Sequence, residues 1–441
     1  MVVVGGGFGG LHAAVSLAKL PVDVTVIDRK NHHVFQPLLY QVALAVLSPA
    51  DIAQPIRSIL RRQCNTEVLM DEVVAIDARA RHVSLASGAR VRFDYLVLAT
   101  GATHSYFGHD EWAPLAPGLK SIENATEIRR RVLLAFELAE RQKVEHGWHP
   151  PLNFVVIGGG PTGVELAGAI SDIAQQYMAQ DFRHIDPRKS RVLLLDNSQR
   201  ILAAYPDDLA AKAEKTLARL GVEVHTGCHV TAIGPGWVDV GGPHGIGRVD
   251  AVVTVWAAGV QASPLGKLLG APLDKRGCVL VDEQLNPPGM TNVFVIGDLA
   301  HFEQDGSQVP GVAQPAMQMG DHVGRMIAAD LDGKPRRAFR YFDKGDMATI
   351  GRLAAIAKVE WPFKAHLSGF AAWVTWAVVH IFFLIGFRNR LRVAASWFWT
   401  YVTFNRGARL ITGDQRLPGW REQMEAGPAE TAAEVQEQKA S

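Results

Sequence analysis

Apolar and polar positions along this chain follow a pattern that repeats. Val2 to Val4 form a short apolar run, followed at once by Gly5-Gly6-Gly7-Phe8-Gly9-Gly10 and a helix-like stretch with small residues such as Ala14. The same order recurs 153 residues on, where Phe154 to Ile157 lead into Gly158-Gly159-Gly160-Pro161-Thr162-Gly163 and a helix-like stretch bearing Ala167. Short apolar runs bounded by turn residues read as buried strands, and strands alternating with helical periodicity argue for doubly wound parallel sheets. Later strands match as well. Asp94 to Leu98 end in Ala99-Thr100-Gly101, and Val252 to Trp256 end in Ala257-Ala258-Gly259. A further run, Val293 to Ile296, ends in Gly297-Asp298 beyond the second unit. The pattern predicts an α/β chain in which a second unit is inserted into the first.

From about Arg336 the character changes. Between Trp361 and Leu410 lie five of the ten tryptophans and six Lys or Arg, with no Asp or Glu. Leu367 to Phe387 is nearly all apolar, broken by Ser368, Thr375 and His380, and is long enough to span a bilayer. Tryptophan prefers the headgroup level and cations bind anionic lipid. Trp373, Trp376, Trp397, Trp399, Arg388, Arg390 and Arg392 therefore favour a pair of helices lying in the membrane interface over a spanning anchor. His380 in the apolar run is either a pocket residue or a core histidine. The tail, taken as 416–441, is rich in Glu, Ala and Gln from Arg421 on with little to bury, which predicts disorder or a frayed helix.

Composition changes this picture little. With 441 residues, two or three domains are expected. Forty-five basic against 44 acidic residues give a net charge of +1, which excludes nucleic-acid binding by charge alone. Cys64, Cys228 and Cys278 form no close-spaced pair, so neither a disulfide framework nor a metal site is expected. The chain opens on its first strand, so no signal peptide is expected; the strand is short at its start, which also fits a few missing leading residues.

The glycine runs carry the chemistry. Each matches G-x-G-x-x-G between a strand and a helix, the context in which it cradles a dinucleotide. Its first glycine makes the turn, the second admits the pyrophosphate, and the third lets the helix pack closely. The cofactor-binding candidates are thus Gly5, Gly7 and Gly10 in one loop and Gly158, Gly160 and Gly163 in the other. Asp28 and Asp196 each close the next strand, where an acid binds a ribose hydroxyl pair; the alternative is a turn-forming Asp. A carboxylate at Asp196 repels a 2′-phosphate and favours NADH over NADPH, a preference Arg200 would soften. Asp298 stands at the C-terminal end of a buried strand, as a ligand contact, a helix cap or both. Two dinucleotide sites suit a flavin enzyme fed by a nicotinamide cofactor.

The paired loops, Ala99-Thr100-Gly101, Ala258-Gly259 and Gly297-Asp298 together resemble the two-dinucleotide flavoprotein superfamily. Phe35-Gln36-Pro37-Leu38-Leu39-Tyr40-Gln41-Val42-Ala43 and Ala313-Gln314-Pro315-Ala316-Met317-Gln318 narrow the likeness to the type II NADH dehydrogenases, the non-pumping NADH:quinone oxidoreductases. The resemblance runs from residue 1 to about 413. It implies an FAD-binding Rossmann-like domain at 1–115 and 275–335, and an NADH-binding one at 150–274. A quinone and membrane-interface module follows at 336–415. Gln314 and Gln318 would line the quinone side of the flavin, and their spacing of four puts them on one helix face. Glu165 would lie near the nicotinamide, relaying protons or positioning reactants; a surface or capping acid is the plain alternative. The absence of a cysteine relay beside the flavin argues for direct electron transfer to a lipid-soluble acceptor.

The resemblance therefore implies non-covalent FAD, NADH as substrate, and ubiquinone or menaquinone as acceptor, with His380 a further quinone candidate. It also implies a homodimer attached peripherally to the cytoplasmic face of the inner membrane. Two other functions are compatible with paired nucleotide folds: a reductase with a soluble protein acceptor, and a non-catalytic NAD(H)-sensing membrane protein.

Overall fold

The computed structural model describes residues 1–403, 408–425 and 427, in two compact units. The first comprises Met1–Phe35, Ala53–Ser105 and Val260–Asp343. Its centre is a parallel sheet with spatial order Thr66–Met70, Val24–Asp28, Val2–Val4, Leu96–Leu98 and Val293–Val295. Val2, Val3 and Val4 pair with Thr25, Val26 and Ile27 on one side and with Leu96, Val97 and Leu98 on the other. All three valines are buried, as expected for a strand covered on both faces. The crossover from the third to the fourth sequential strand is itself an antiparallel meander, Val73–Asp77, His82–Leu85 and Arg90–Arg92. Helix Phe8–Ser16 and helix Ala313–Leu331 approach closely because glycine stands at their crossing. A Cβ on Gly320 would run into the Gly9 carbonyl, and one on Gly324 into Ser16.

The second unit comprises Gln36–Ile52, Tyr106–Gly259 and the chain from Lys344. Its parallel sheet has the order Val222–His225, Arg191–Leu195, Asn153–Ile157 and Val253–Trp256. This is the first unit's order without the fifth strand, and an antiparallel meander (His229–Gly234, Trp237–Gly241, Gly247–Asp250) again makes the crossover. Helix Ile122–His146 starts at Ser121, whose hydroxyl accepts from the Asn124 N–H at 3.2 Å, and stops at Gly147 in the left-handed region (φ +79°). The duplicated α/β architecture read from the hydropathy pattern is thus present. The segment Gln36–Ile52, with its short buried helix Leu39–Ala43, packs in this unit although its sequence neighbours on both sides belong to the other.

The same unit holds the C-terminal region. Strands Gly345–Thr349, Ala355–Val359 and Ala365–Ser368 form an antiparallel sheet. Helices Gly369–Phe383, Phe387–Thr403 and Trp420–Glu425 follow. The long apolar run is therefore divided: its first residues pair as a strand, and the helix begins at Gly369, where the chain turns (φ +69°). No described helix is long and apolar enough to cross a membrane. The second helix buries Val393, Trp397 and Thr400 and exposes Leu391, Phe398 and Trp399. The tail expected over 416–441 to be disordered or a frayed helix is ordered in its first part, where Leu417 is buried, Trp420–Glu425 is helical and Gln423 Nε2 donates to the Gly236 carbonyl at 2.7 Å; residues 426 and 428–441 lie outside the described residues.

Candidate active site

The first glycine loop is closed by its own backbone. Gly5 takes φ +101° and donates to the Ile27 carbonyl at 2.8 Å; a Cβ there would strike the Ala99 carbonyl. A Cβ on Gly10 would strike the Gly5 carbonyl, whereas Gly7 faces open space. Asp28 ends its strand with one carboxylate oxygen accepting from Gly6 N–H at 2.6 Å and the other from Lys30 N–H at 2.7 Å. Beyond the neighbouring strand, Ala99 donates to Val4 at 2.8 Å, and the Gly101 carbonyl accepts from Ser263 N–H at 3.0 Å. The Thr100 hydroxyl between them is buried with no hydrogen-bond partner among the described residues. Gly297 (φ +68°) opens the one-turn helix Gly297–Leu299, and the Asp298 carboxyl lies against Gly311. Open space before a helix N-terminus, an anchored acid and an unspent hydroxyl suit a ligand that carries pyrophosphate and ribose.

The second loop has the same wiring. Gly158 (φ +108°) donates to Leu195 at 2.7 Å, and Gly160 faces open space. A Cβ on Gly163 would strike the Gly158 carbonyl. Asp196 accepts from Gly159 N–H and, at 2.6 Å, from Ser198 N–H. Ala257 donates to Ile157 at 2.7 Å, the partly buried Ala258 follows, and Gly259 (φ +102°) lies under the Phe107 ring. Arg200, four residues after Asp196, is held by the Ala203 and Tyr205 carbonyls, each at 3.0 Å.

Glu165 sits on helix Pro161–Asp172 in the same unit, and burial pushes its carboxyl up to about 8 against the opposing bonds from Thr349. A polar path runs away from it. Thr349 N–H lies 3.4 Å from the carboxyl, and the Thr349 hydroxyl is 2.7 Å from Tyr40 Oη. Gln41 Nε2 is 3.1 Å from Tyr40 Oη, and Trp397 Nε1 donates to Gln41 Oε1 at 2.7 Å. Tyr40, Gln41, Thr349 and Trp397 are all buried. Trp376 packs on Trp397 with ring centroids 5.2 Å apart and stacks on His380 at 4.3 Å. His380 Nδ1 donates to the Trp376 carbonyl at 2.7 Å, and burial lowers its pKa to about 4, so the ring is neutral.

Gln314 and Gln318 lie on helix Ala313–Leu331 of the first unit. The Gln318 amide is braced in both directions on Phe342: it donates to the carbonyl at 2.9 Å and accepts from the N–H at 2.9 Å. Cys64 is exposed, and Cys228 and Cys278 are buried free thiols; burial pushes Cys278 up to about 11. The sequence reading singled out the loops, the two acids, Glu165, the glutamines and His380, but not the Tyr40–Thr349–Trp397 path. Tyr40 and Gln41 fall in the Phe35–Ala43 stretch, whereas Trp397, expected with Trp376 at the membrane interface, is buried as Trp376 is. His33 was missed too. It is buried beneath the first loop, with Nδ1 on the Gly6 carbonyl at 3.0 Å and its ring edge-on to Phe8.

Comparison with known proteins agrees with this geometry. Residues 1–320 match the pyridine nucleotide-disulphide oxidoreductase family. The chain is 42% identical to the type II NADH:quinone oxidoreductase Ndh of Mycobacterium tuberculosis, over 100% of this chain and 96% of that one. It is also 42% identical to NdhA of the same organism, over 93% and 89% of the two chains. Among solved structures, NDH2 of Plasmodium falciparum in complex with NADH has the same fold (TM-score 0.82, 18% identity, 93% of this chain and 99% of that one). The sulfide:quinone oxidoreductase of Aquifex aeolicus is similar at TM-score 0.71, with 19% identity over 95% and 98% of the chains. The chain belongs to the type II NADH:quinone oxidoreductases, within the pyridine nucleotide-disulphide oxidoreductase family.

Proposed function

We propose that this protein is an FAD-dependent enzyme that passes electrons from NADH to a membrane quinone without pumping protons. The observation that carries the proposal is the duplicated loop, each copy closed on its own strand-end acid, in a member of this family. Bound FAD would supply the two-electron redox chemistry that links NADH to quinone; the protein supplies binding, orientation and exclusion of water. Gly5, Gly7 and Gly10 would hold its pyrophosphate at the start of helix Phe8–Ser16, and Asp28 its ribose. Ala99, Thr100, Gly101, Gly297 and Asp298 would border the rest. The unspent Thr100 hydroxyl is a hydrogen-bonding group suited to that contact. Gly158, Gly160, Gly163, Ala258 and Gly259 would hold NADH, with Asp196 on the ribose disfavouring a 2′-phosphate.

Gln314 and Gln318 would face quinone. Phe342 uses one amide hydrogen and one lone-pair site of Gln318, which leaves a second hydrogen for the acceptor and a rigid amide to present it. Quinone reduction consumes protons as well as electrons, and Glu165, protonated at neutral pH, is positioned by its raised pKa to supply one. His380, neutral and braced on Trp376, would shape the quinone's apolar surroundings.

The 336–415 region would attach the protein peripherally to an anionic membrane surface, on the cytoplasmic face of the inner membrane, as a homodimer. Phe370, Val378, Phe382, Phe398 and Trp399 are each more than 60% exposed, beside the basic run Arg388, Arg390 and Arg392. The same apolar surface disfavours a reductase with a soluble acceptor.

Stopped-flow mixing with NADH and then with ubiquinone or menaquinone analogues tests the reading. The FAD-loaded protein should be bleached by NADH faster than by NADPH and recover its colour with quinone. Gln318→Trp should slow recovery more than bleaching; equal losses would remove Gln318 from the quinone side. A folded protein that cannot be loaded with flavin would end the proposal.

A further inference from the structure

We propose that Trp397 is a positioning residue for Glu165, acting through a one-way chain of hydrogen bonds across Gln41, Tyr40 and Thr349. This builds on the reading of Glu165 as the group that handles protons. The direction of the chain follows from its first member. An indole N–H can only donate, so the 2.7 Å contact fixes Gln41 Oε1 as acceptor and turns the Gln41 NH2 group towards Tyr40 at 3.1 Å. With Tyr40 Oη accepting there, its own hydrogen goes to the Thr349 hydroxyl 2.7 Å away. The Thr349 hydrogen is then directed at Glu165, joining the backbone N–H of the same residue. Every donor points at the carboxyl, and donors aligned in series polarise one another and stabilise its anion.

The four relay residues are between 2% and 7% exposed, so water does not compete for these bonds. Without the indole, the Gln41 amide is free to turn its oxygen towards Tyr40. Tyr40 can then donate to Gln41, Thr349 to Tyr40, and the carboxyl loses the Thr349 hydroxyl as a donor while keeping the backbone N–H. Tyr205, whose phenol is raised well above its ordinary value by burial, also feels the charges of Glu165 and Asp346. Neither Tyr205 nor Asp346 belongs to the chain. Trp397 belongs to the helix that exposes Leu391, Phe398 and Trp399, so the seating of that helix is reported to the carboxyl.

The test uses FAD-loaded full-length protein and two readouts. One is the pH dependence of reoxidation of the reduced enzyme by a water-soluble quinone. The other is the infrared carboxylic-acid band of Glu165, identified as the band missing in Glu165→Gln. Trp397→Phe and Tyr40→Phe should each raise the Glu165 midpoint by about half to one pH unit. The double variant should shift it no further than Tyr40→Phe alone, because the two act in series. Gln41→Leu, which changes no residue of the C-terminal helix, should reproduce the shift and decides the matter if Trp397→Phe loses flavin. An unmoved infrared midpoint in Gln41→Leu, or additive shifts, would overturn the chain. Unchanged quinone rates in Glu165→Gln would instead remove its proton-handling role, while the infrared midpoint still reads the chain.

Discussion

Glu165 is a carboxylic acid at neutral pH, and this has a consequence for stability. Its folded-state pKa, about 8, lies above the ordinary value of 4.5, so the folded protein holds a proton that the unfolded chain releases. Such a group costs no stability below the unfolded value and an increasing amount as pH rises towards the folded value. Glu165→Gln should therefore leave stability unchanged near pH 4 and raise it by about 5 kcal/mol at pH 9, as measured by denaturant unfolding of the flavin-loaded protein. Asp196 acts on specificity instead. With Arg200 engaged by the Ala203 and Tyr205 carbonyls, Asp196→Ser should raise kcat/KM for NADPH relative to NADH about tenfold. An unchanged ratio in steady-state assays would place the adenosine ribose elsewhere. Asp28 and Asp196 were legible because the motif fixes their place at a strand end. The surroundings of Glu165 were not, because Thr349 is 184 residues away and no local pattern records such a contact.

At the level of elements, the C-terminal helices show what hydropathy sees and what it omits. The apolar run from Leu367 to Phe387 has the length of a membrane span, yet Leu367 pairs with Ala357 in a sheet and helix Gly369–Phe383 has only 15 residues. A hydropathy window cannot know that the partner strand exists. Of the tryptophans expected at the membrane interface, Trp376 and Trp397 are instead buried while Trp399 is exposed, and the second helix exposes Leu391 and Phe398 together with Arg388 and Arg392. Leu391→Glu and Phe398→Glu, at positions 56% and 70% exposed, should cut cosedimentation with anionic vesicles about tenfold or more and leave NADH oxidation by a water-soluble quinone intact. Equal loss of both activities would mean that these faces support the fold rather than lipid contact.

For the whole molecule, duplication is the organising fact. The two units share strand order, meander crossover, glycine loop and acid, and each third glycine is needed for the same steric reason. Matched substitutions should therefore have separable effects. Gly10→Ala should reduce retained flavin, read from visible absorbance, while Gly163→Ala should keep flavin and weaken NADH binding about tenfold or more, read by calorimetry. The repeat was visible in the sequence because strand, turn and helix lie within a few residues of one another. The placement of Gln36–Ile52 was not, because an apolar segment does not declare which core it will join.

Three consecutive arginines on helix Ile122–His146 bear on how the protein is handled mechanically. Arg129 donates to the Ala408 carbonyl at 3.1 Å, and Arg130 to those of Asp414 at 2.6 Å and Arg416 at 2.8 Å. Arg131 and Arg130 share Glu127, and Arg409 pairs with Asp181. The chain that leaves through the helices is thus fastened where it returns, as it is fastened at the start by the Gly345–Ser368 sheet. A strip buckled at both ends does not swing like a tether; pulled sideways, it loads its buckles. Force applied to the helices would be felt at Arg130 and at the Gly345–Thr349 strand, the same strand that ends in Thr349.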